Sequence, residues 1–239
     1  MLVLRSTLFA LAMLAITPIY AVLCMLIAPL SRMARFRFIS GWAAIMLALA
    51  RVLCGIHCRV EGREHLPKEP CVILSKHQSA WETMAFQSIF PPQVQVLKRE
   101  LLWIPFFGWA LALMSPIAIN RAKGRAALKE LARLGAERLQ QGFWVVIYPE
   151  GTRVAPGLRR KYQAGGAWLA ARTGAQVVPV AHNAGLLWPK NAFLKRAGTI
   201  TVRIGPAIAT QGRKPEDIIG EVEEWIERQQ EELCPARSN

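Results

Sequence analysis

The sequence contains few acidic residues and no cysteine pattern that defines a metal or disulfide site. Sixteen Asp and Glu residues oppose thirty Lys and Arg residues in a chain of 239, so the formal net charge is +14. The cysteines are odd in number and lack a C-x-x-C pair; they are Cys24, Cys54, Cys58, Cys71 and Cys234. Although His57 precedes Cys58, no second ligand pair follows at zinc-like spacing. We therefore expect no metal site and cysteines that pack as small apolar residues in a reducing compartment.

The sequence also lacks internal repeats and the motifs of nucleic-acid-binding proteins. It has no basic–aromatic RNA motif, zinc-finger spacing or basic leucine zipper, although its positive charge alone would suit a polyanion. The remaining negatively charged partners are phosphate groups, anionic lipid headgroups and acidic carrier proteins. We therefore expect no nucleic acid among the partners.

The N-terminal part is unusually apolar for so basic a chain. Between Arg5 and Arg32 lie 26 residues without a formal charge, and a helix of that length would measure about 39 Å, more than the hydrocarbon thickness of a bilayer. Pro18 in the middle leaves open whether residues 6–31 span the membrane or turn back as a re-entrant hairpin. A second uncharged stretch, residues 38–50, has 13 residues and suits an interfacial helix of about 20 Å.

Basic residues flank the two apolar stretches unequally. Arg32, Arg35 and Arg37 lie between them, whereas only Arg5 precedes the first. The positive-inside bias places this linker on the cytoplasmic side and predicts attachment to the inner, cytoplasmic membrane. If the second stretch does not span, the rest of the chain lies on the cytoplasmic face. A cleaved signal peptide is less consistent with the sequence, because the apolar run continues to Leu30.

Short apolar runs alternate with helical patterns in the rest of the chain. The predicted strands contain CVILS, VQVLK, SPIAIN, FWVVIYP, AQVVPVA and TITVRIG. This alternation predicts an α/β fold with a mixed, largely parallel sheet flanked by helices, preceded by an N-terminal membrane-anchoring helical segment. We divide the chain into anchoring helices at residues 1–58 and an α/β domain at residues 59–239. In such sheets, active sites lie on loops beyond the strand ends.

The first candidate site follows the run CVILS. His77 comes directly after the predicted strand and Glu82 stands five residues later. On one continuous helix the two side chains would lie about 140° apart, so they can meet only if a turn intervenes. Residues 79–82 (SAWE) fit a capping box that starts a helix at Ser79 and leaves His77 on a loop. Because the cap alone would explain Glu82, the tetrapeptide leaves a structural and a catalytic role open.

The second candidate site is the turn PEGTR at residues 149–153, which follows the run FWVVI. Gly151 permits close backbone approach, Thr152 offers a hydroxyl, and Arg153 carries a planar fork that matches phosphate. A turn with an arginine is common. Its combination with a His-x4-acid pair and a basic chain is far more specific than any one of these features.

Four blocks of the sequence, in order, resemble the motifs of the glycerolipid acyltransferase family. His77 and Glu82 correspond to the His-x4-Asp block, with Glu in place of the usual Asp. The third and fourth blocks correspond to residues 149–153 and 178–180 (VPV). The second block comprises Lys98, Arg99, Glu100, Leu101, Pro105, Gly108 and Arg121. The similarity covers about residues 60–210, and one departure is YQAG at 162–165, which lacks the lysine pair that many members have before the glycine.

The resemblance implies an enzyme that moves a fatty acyl group from acyl-CoA or acyl carrier protein to the sn-2 hydroxyl of lysophosphatidic acid, giving phosphatidic acid. His77 would act as general base and Glu82 would fix its tautomer. The expected partners are thus a lipid membrane, lysophosphatidic acid and the acyl thioester, which is a co-substrate, and no cofactor is expected.

The resemblance also implies binding roles for six residues. The candidates for the acceptor's phosphate are, in order, Arg153, Arg121 and Lys98. The substrate-binding turn would consist of Glu150, Gly151 and Thr152. Glu150 would either hold Arg153 or bind the glycerol hydroxyl.

Other functions remain open from the sequence. A related acyltransferase would act on glycerol 3-phosphate, a lysophospholipid or a lyso-aminolipid. A non-enzymatic membrane-bound protein that binds anionic lipids would use the same anchor and positive charge. Such a protein has no need of the His77–Glu82 pair followed by the PEGTR turn, which favours an enzyme.

Overall fold

The computed structural model describes residues 1–120 and 124–235. Its helices are α1 (Leu2–Leu26), α2 (Arg32–Cys54), α3 (Trp81–Ile89), α4 (Phe107–Leu113), α5 (Arg125–Gln140), α6 (Gly165–Thr173), α7 (Ala184–Leu187) and α8 (Pro215–Leu233). Its strands are β1 (Ile56–Glu61), β2 (Val72–Ser75), β3 (Gln93–Lys98), β4 (Ile117–Ile119), β5 (Trp144–Ile147), β6 (Val177–His182) and β7 (Gly198–Ile204). Single 3-10 turns lie at Arg63–His65 and Arg99–Trp103.

The strands form one sheet in the order β1-β7-β6-β2-β5-β3-β4. Five strands, β6, β2, β5, β3 and β4, run parallel to one another. Strand β7 pairs antiparallel with β6, and β1 pairs parallel with β7, so these two strands run opposite to the other five. The prediction of a mixed, largely parallel sheet flanked by helices is confirmed.

Helices cover both faces of the sheet, which explains why the central strands are apolar at nearly every position. All four residues of β2 and all four of β5 are buried. In β2, Ile73 packs into the core shared with α2 and α3, whereas Val72 and Leu74 pack into the core shared with α5, α6 and α8. The sheet therefore lies between two hydrophobic cores.

The N-terminal helices are longer and more regular than predicted. Helix α1 continues through Pro18 without interruption, so the chain turns back at residues 27–31 and not in the middle of the apolar run. The prediction of a short second helix is wrong, because α2 extends over 23 residues and includes the basic linker residues in its first turns. By length and composition both helices are apolar enough to cross a membrane. Most of the α1 surface is exposed and apolar, which suits contact with lipid.

The N-terminal helices also pack against the α/β core. Phe9 of α1 and Met46 of α2 are fully buried in the same core as Ile73. Strand β1 begins at Ile56, two residues before the predicted boundary at residue 58, and sequence analysis did not identify it. The reason is that β1 is an edge strand whose residues 57–59 are exposed and polar or small, so no apolar run marks it. The division of the chain into two domains remains a prediction.

The sheet order determines where the candidate residues meet. Because β2, β5, β3 and β4 are adjacent and parallel, their carboxyl ends lie along one edge of the sheet. The segments that follow these four strands begin at Lys76, Tyr148, Arg99 and Asn120. The His77 loop and the PEGTR turn are therefore immediate neighbours.

Candidate active site

His77 and Glu82 meet across the turn that joins β2 to α3. His77 lies on the loop, Glu82 lies in the first turn of α3, and His77 Nδ1 is 2.9 Å from Glu82 Oε1. An ionised carboxylate can only accept a hydrogen bond, so Nδ1 carries the proton and Nε2 keeps its lone pair. The Nε2 atom forms no hydrogen bond to the described residues. The imidazole is therefore in the tautomer that a general base requires.

The same carboxylate oxygen also holds the turn that leads into helix α3. Glu82 Oε1 accepts hydrogen bonds from the N–H groups of Gln78 (2.8 Å) and Ser79 (2.7 Å), and Ser79 Oγ accepts one from the Trp81 N–H (3.1 Å). The helix begins at Trp81, two residues after the predicted start at Ser79. The structural and the catalytic interpretation of Glu82 are thus compatible, because a single oxygen holds both the turn before α3 and the His77 ring.

Glu82 remains ionised although it is completely buried. Burial alone would raise the pKa of Glu82, but the nearby His182 and His77 and the Ser79 N–H together hold it below its usual value. A carboxylate in this state can stabilise the imidazolium that forms when His77 accepts a proton.

Tyr148 supports the imidazole ring from the neighbouring strand. Its ring stacks on that of His77 with a centroid distance of 4.0 Å and an interplanar angle of 19°. Burial, and then the charge of Glu82, raise the pKa of Tyr148 well above its usual value, so this ring is a neutral platform. No local pattern identifies this contact, because it depends on β5 lying next to β2.

The PEGTR turn is attached to the backbone on both sides of His77. Glu150 Oε2 accepts a hydrogen bond from the His77 N–H at 2.9 Å, and the Val154 N–H donates to the His77 carbonyl at 2.7 Å. The buried Glu150 carboxylate also lies 2.8 Å from Lys76 Nζ. Of the described residues, Lys76 and the His77 backbone therefore engage Glu150, whereas Arg153 does not.

The outer part of this turn exposes cationic and hydroxyl groups. Gly151 has a φ of 71°, a left-handed conformation that favours glycine. Thr152 and Arg153 are partly exposed, and within the described part of the chain Arg153 forms no ion pair. Lys190 Nζ lies 3.5 Å from Thr152 Oγ1 and 3.3 Å from the Arg153 carbonyl, so it places a second cation at the turn. Sequence analysis missed Lys190 because no motif surrounds it.

The other two candidate cations are at different distances from His77. Lys98 ends β3 and is exposed; β3 is two strands from β2, or about 10 Å at the usual strand spacing. Arg121 follows β4 but lies outside the described residues. The PEGTR turn, which follows the strand next to β2, places Arg153 on a nearer strand than Lys98.

The fold and the site are those expected of an α/β enzyme in which a histidine–carboxylate pair activates a hydroxyl group for attack. The sequence profile of the family described as "Acyltransferase" matches residues 57–183, more than half of the chain. The chain belongs to this acyltransferase family, which confirms the resemblance drawn from its four blocks.

Comparisons with individual proteins agree with this assignment. The chain is 47% identical over 236 residues to the 1-acyl-sn-glycerol-3-phosphate acyltransferase of Pseudomonas aeruginosa. The aligned region covers 97% of this chain and 92% of the relative. It is 30% identical to 1-acyl-sn-glycerol-3-phosphate acyltransferase alpha of Bos taurus over 73% of this chain and 62% of that protein. The crystal structure of the 1-acyl-sn-glycerophosphate (LPA) acyltransferase, PlsC, from Thermotoga maritima shares the fold with a TM-score of 0.78 and 23% identity, covering 99% of this chain and 98% of that one.

Proposed function

We propose that the protein transfers a fatty acyl group from acyl-CoA or an acyl carrier protein to the sn-2 hydroxyl of 1-acyl-sn-glycerol 3-phosphate, giving phosphatidic acid. The observation that carries the proposal is the 2.9 Å contact between His77 Nδ1 and Glu82 Oε1, beside a turn that carries the partly exposed Arg153. The relatives from Pseudomonas aeruginosa and Bos taurus are named for the same acceptor, which supports the proposal.

In the proposed reaction, His77 Nε2 removes the proton from the acceptor hydroxyl while the oxygen attacks the thioester carbon. The resulting tetrahedral intermediate collapses as the carbon–sulfur bond breaks, and the leaving thiolate takes the proton from the His77 imidazolium. Glu82 stabilises the imidazolium between these two transfers. The products are the ester and the free thiol, so no acyl-enzyme is required.

The acceptor's phosphate needs cations close to the base, and Arg153, which is partly exposed, is the first candidate. Lys98 is a second candidate along the same sheet edge, and Arg121 is a third from the sequence alone. We add Lys190, because it contacts the turn that carries Arg153. Gly151 and Thr152 would contribute backbone and hydroxyl contacts to the acceptor, and Glu150 would keep this turn in place.

We further propose that the α1–α2 hairpin holds the protein at the cytoplasmic face of the inner membrane. Near one end of the hairpin, Arg32 donates to Glu137 of α5 and to Gln141, the residue that follows this helix. Near the other end, the Lys195 N–H donates to Ser6 Oγ. Because both ends of the hairpin contact the same α/β domain, we infer that the hairpin lies along the membrane surface and does not cross the membrane.

The proposed reaction is tested with protein purified in detergent, an acyl thioester, and a panel of acceptors that includes lysophosphatidic acid, glycerol 3-phosphate and lysophospholipids. Wild-type protein is expected to form phosphatidic acid, and His77→Ala is expected to reduce the rate by about 10²-fold or more. The matched control His57→Ala removes an exposed histidine from β1 and should keep wild-type activity. Activity that persists in His77→Ala would contradict the assignment of the base, and acylation of a different acceptor alone would contradict the proposed substrate.

A further inference from the structure

The two residues that flank His77 are buried, although they are polar and belong to a loop. Lys76 is 1% exposed and Gln78 is 0% exposed. Lysine is almost never fully buried unless its ammonium group is paired. The partners of both residues therefore show what holds this loop in place.

Lys76 is paired with carboxylates from two distant parts of the chain. Its Nζ lies 2.7 Å from Glu227 Oε1 of α8 and 2.8 Å from Glu150 Oε1 of the PEGTR turn. The Tyr162 hydroxyl donates to Glu227 Oε1 at 2.9 Å. Glu227 is thus the contact between α8 and the residue that precedes His77, and removing one member of such a buried group leaves the others uncompensated.

Gln78 is held by the next turn of the same helix. Its Nε2 donates to Gln230 Oε1 at 2.6 Å, and its Oε1 accepts from the Gly185 N–H at 3.1 Å. The Gln230 Nε2 in turn donates to the His182 carbonyl at 2.9 Å. The side-chain amides of Gln78 and Gln230 each both donate and accept, which fixes their orientation.

Glu227 and Gln230 are three residues apart, so they lie on the same face of α8. Their partners, Lys76 and Gln78, lie on either side of His77 and are about 150 positions earlier in the sequence. Helix α8 lies outside residues 57–183, the part of the chain that matches the family profile. Glu227 and Gln230 therefore belong to none of the four blocks, and the contacts they make were not predicted from those motifs.

We propose that Glu227 and Gln230 of α8 are positioning residues, which hold Lys76 and Gln78 and thereby set the location of His77 relative to the acceptor hydroxyl. This inference rests on the proposed function. A displacement of about 1 Å of a catalytic group can reduce the rate by about 100-fold while substrate binding is kept. The expected signature is a loss in kcat that is not matched by a change in KM.

The variant Glu227→Gln tests the proposal because it preserves the size of the side chain and removes its charge. Its kcat is expected to fall by roughly 10- to 100-fold, with the KM values for acceptor and thioester nearly unchanged. The matched control is Glu224→Gln, an exposed position on the same helix, which should keep wild-type kcat. If Glu227→Gln does not fold, Gln230→Ala removes the second contact and is measured in the same way.

Labelling with diethyl pyrocarbonate, followed by peptide mass mapping, gives a readout that does not depend on activity. His77 is expected to react faster in Glu227→Gln than in the wild type and in Glu224→Gln, because a released loop exposes the ring more often. Wild-type kcat and labelling in Glu227→Gln, or a rise in KM at constant kcat, would overturn the positioning role. If the wild type acylates an acceptor other than lysophosphatidic acid, the proposed substrate fails, and the same comparison is made with that acceptor.

Discussion

Glu82 makes all of its described hydrogen bonds through one oxygen atom. Oε1 accepts from His77 Nδ1 and from two backbone N–H groups, whereas Oε2 is buried and forms no hydrogen bond within the described residues. This geometry separates two properties of the side chain. An amide oxygen can accept the same hydrogen bonds, but only a carboxylate supplies negative charge next to His77.

Glu82→Gln is therefore expected to keep the fold and lose most of the activity. The amide oxygen can still accept from the Gln78 and Ser79 N–H groups, but the imidazolium that forms during the reaction is no longer stabilised by charge, so kcat should fall by about 10²-fold or more. Steady-state kinetics and the thermal midpoint in detergent check both parts. The control is Glu69→Gln, an exposed glutamate before β2. Unchanged kcat in Glu82→Gln would show that the charge of Glu82 has no role in the reaction.

At the scale of elements, α1 combines an apolar exposed face with contacts to the α/β domain. Leu11 and Leu14 are 58% and 71% exposed, while Phe9 of the same helix is fully buried and contacts Trp188 with a ring-centroid distance of 5.2 Å. One side of α1 thus belongs to the core of the protein. The other side has no protein partner among the described residues and suits lipid.

Replacing Leu11 and Leu14 together by asparagine is expected to weaken membrane binding. If each side chain contributes about 1.5 kcal/mol through burial in lipid, the double variant should partition roughly 100-fold less strongly into vesicles. Flotation with vesicles that contain anionic lipid measures the change. The control Leu158→Asn removes a leucine of comparable exposure, 61%, outside α1. Equal binding of the double variant and the wild type would contradict the proposed role of α1.

At the scale of the whole molecule, the sheet brings a second histidine next to the His77–Glu82 pair. His182, at the end of β6, is fully buried; its Nδ1 accepts from the Ala184 N–H and its Nε2 donates to the Lys76 carbonyl. Burial lowers the pKa of His182, although Glu82 opposes this effect. The unfolded chain therefore binds a proton at this residue at a higher pH than the native protein does.

This difference predicts that acidification destabilises the protein. As pH falls below about 6.5, the unfolded state gains a proton that native His182 accepts only at lower pH, so the free energy of unfolding decreases by up to about 1.4 kcal/mol per pH unit. Urea midpoints in detergent between pH 8 and pH 5 measure this slope. His182→Gln should be less stable at pH 8 and show a smaller dependence on pH.

His57→Gln is the control, because it removes an exposed histidine and should keep the wild-type slope. Glu150, whose pKa is raised by burial, contributes a slope of the opposite sign in all three proteins. The difference between His182→Gln and the other two therefore isolates His182. Equal slopes in all three proteins would contradict the prediction.

The sequence by itself determined the local features of this protein. Short runs rich in apolar residues predicted the strands from β2 to β7. Strands β2 and β5 are buried at every position because helices cover both faces of the sheet, whereas buried and partly exposed residues alternate in β7 from Ile200 onward. The spacing of His77, Ser79 and Glu82 predicted a turn that permits the pair to meet, and the structure contains that turn. The order of the four blocks indicated the family that the comparisons confirm.

Only the tertiary structure decided what surrounds His77. The stacking of Tyr148, the ion pairs of Lys76 and the position of Lys190 depend on the sheet order or on contacts between elements far apart in the chain. Glu227 and Gln230 look like ordinary polar residues of an amphipathic helix until α8 is packed beside β6. Local patterns reflect the free energy of neighbouring residues, whereas these contacts arise from how whole elements bury their apolar surfaces against one another.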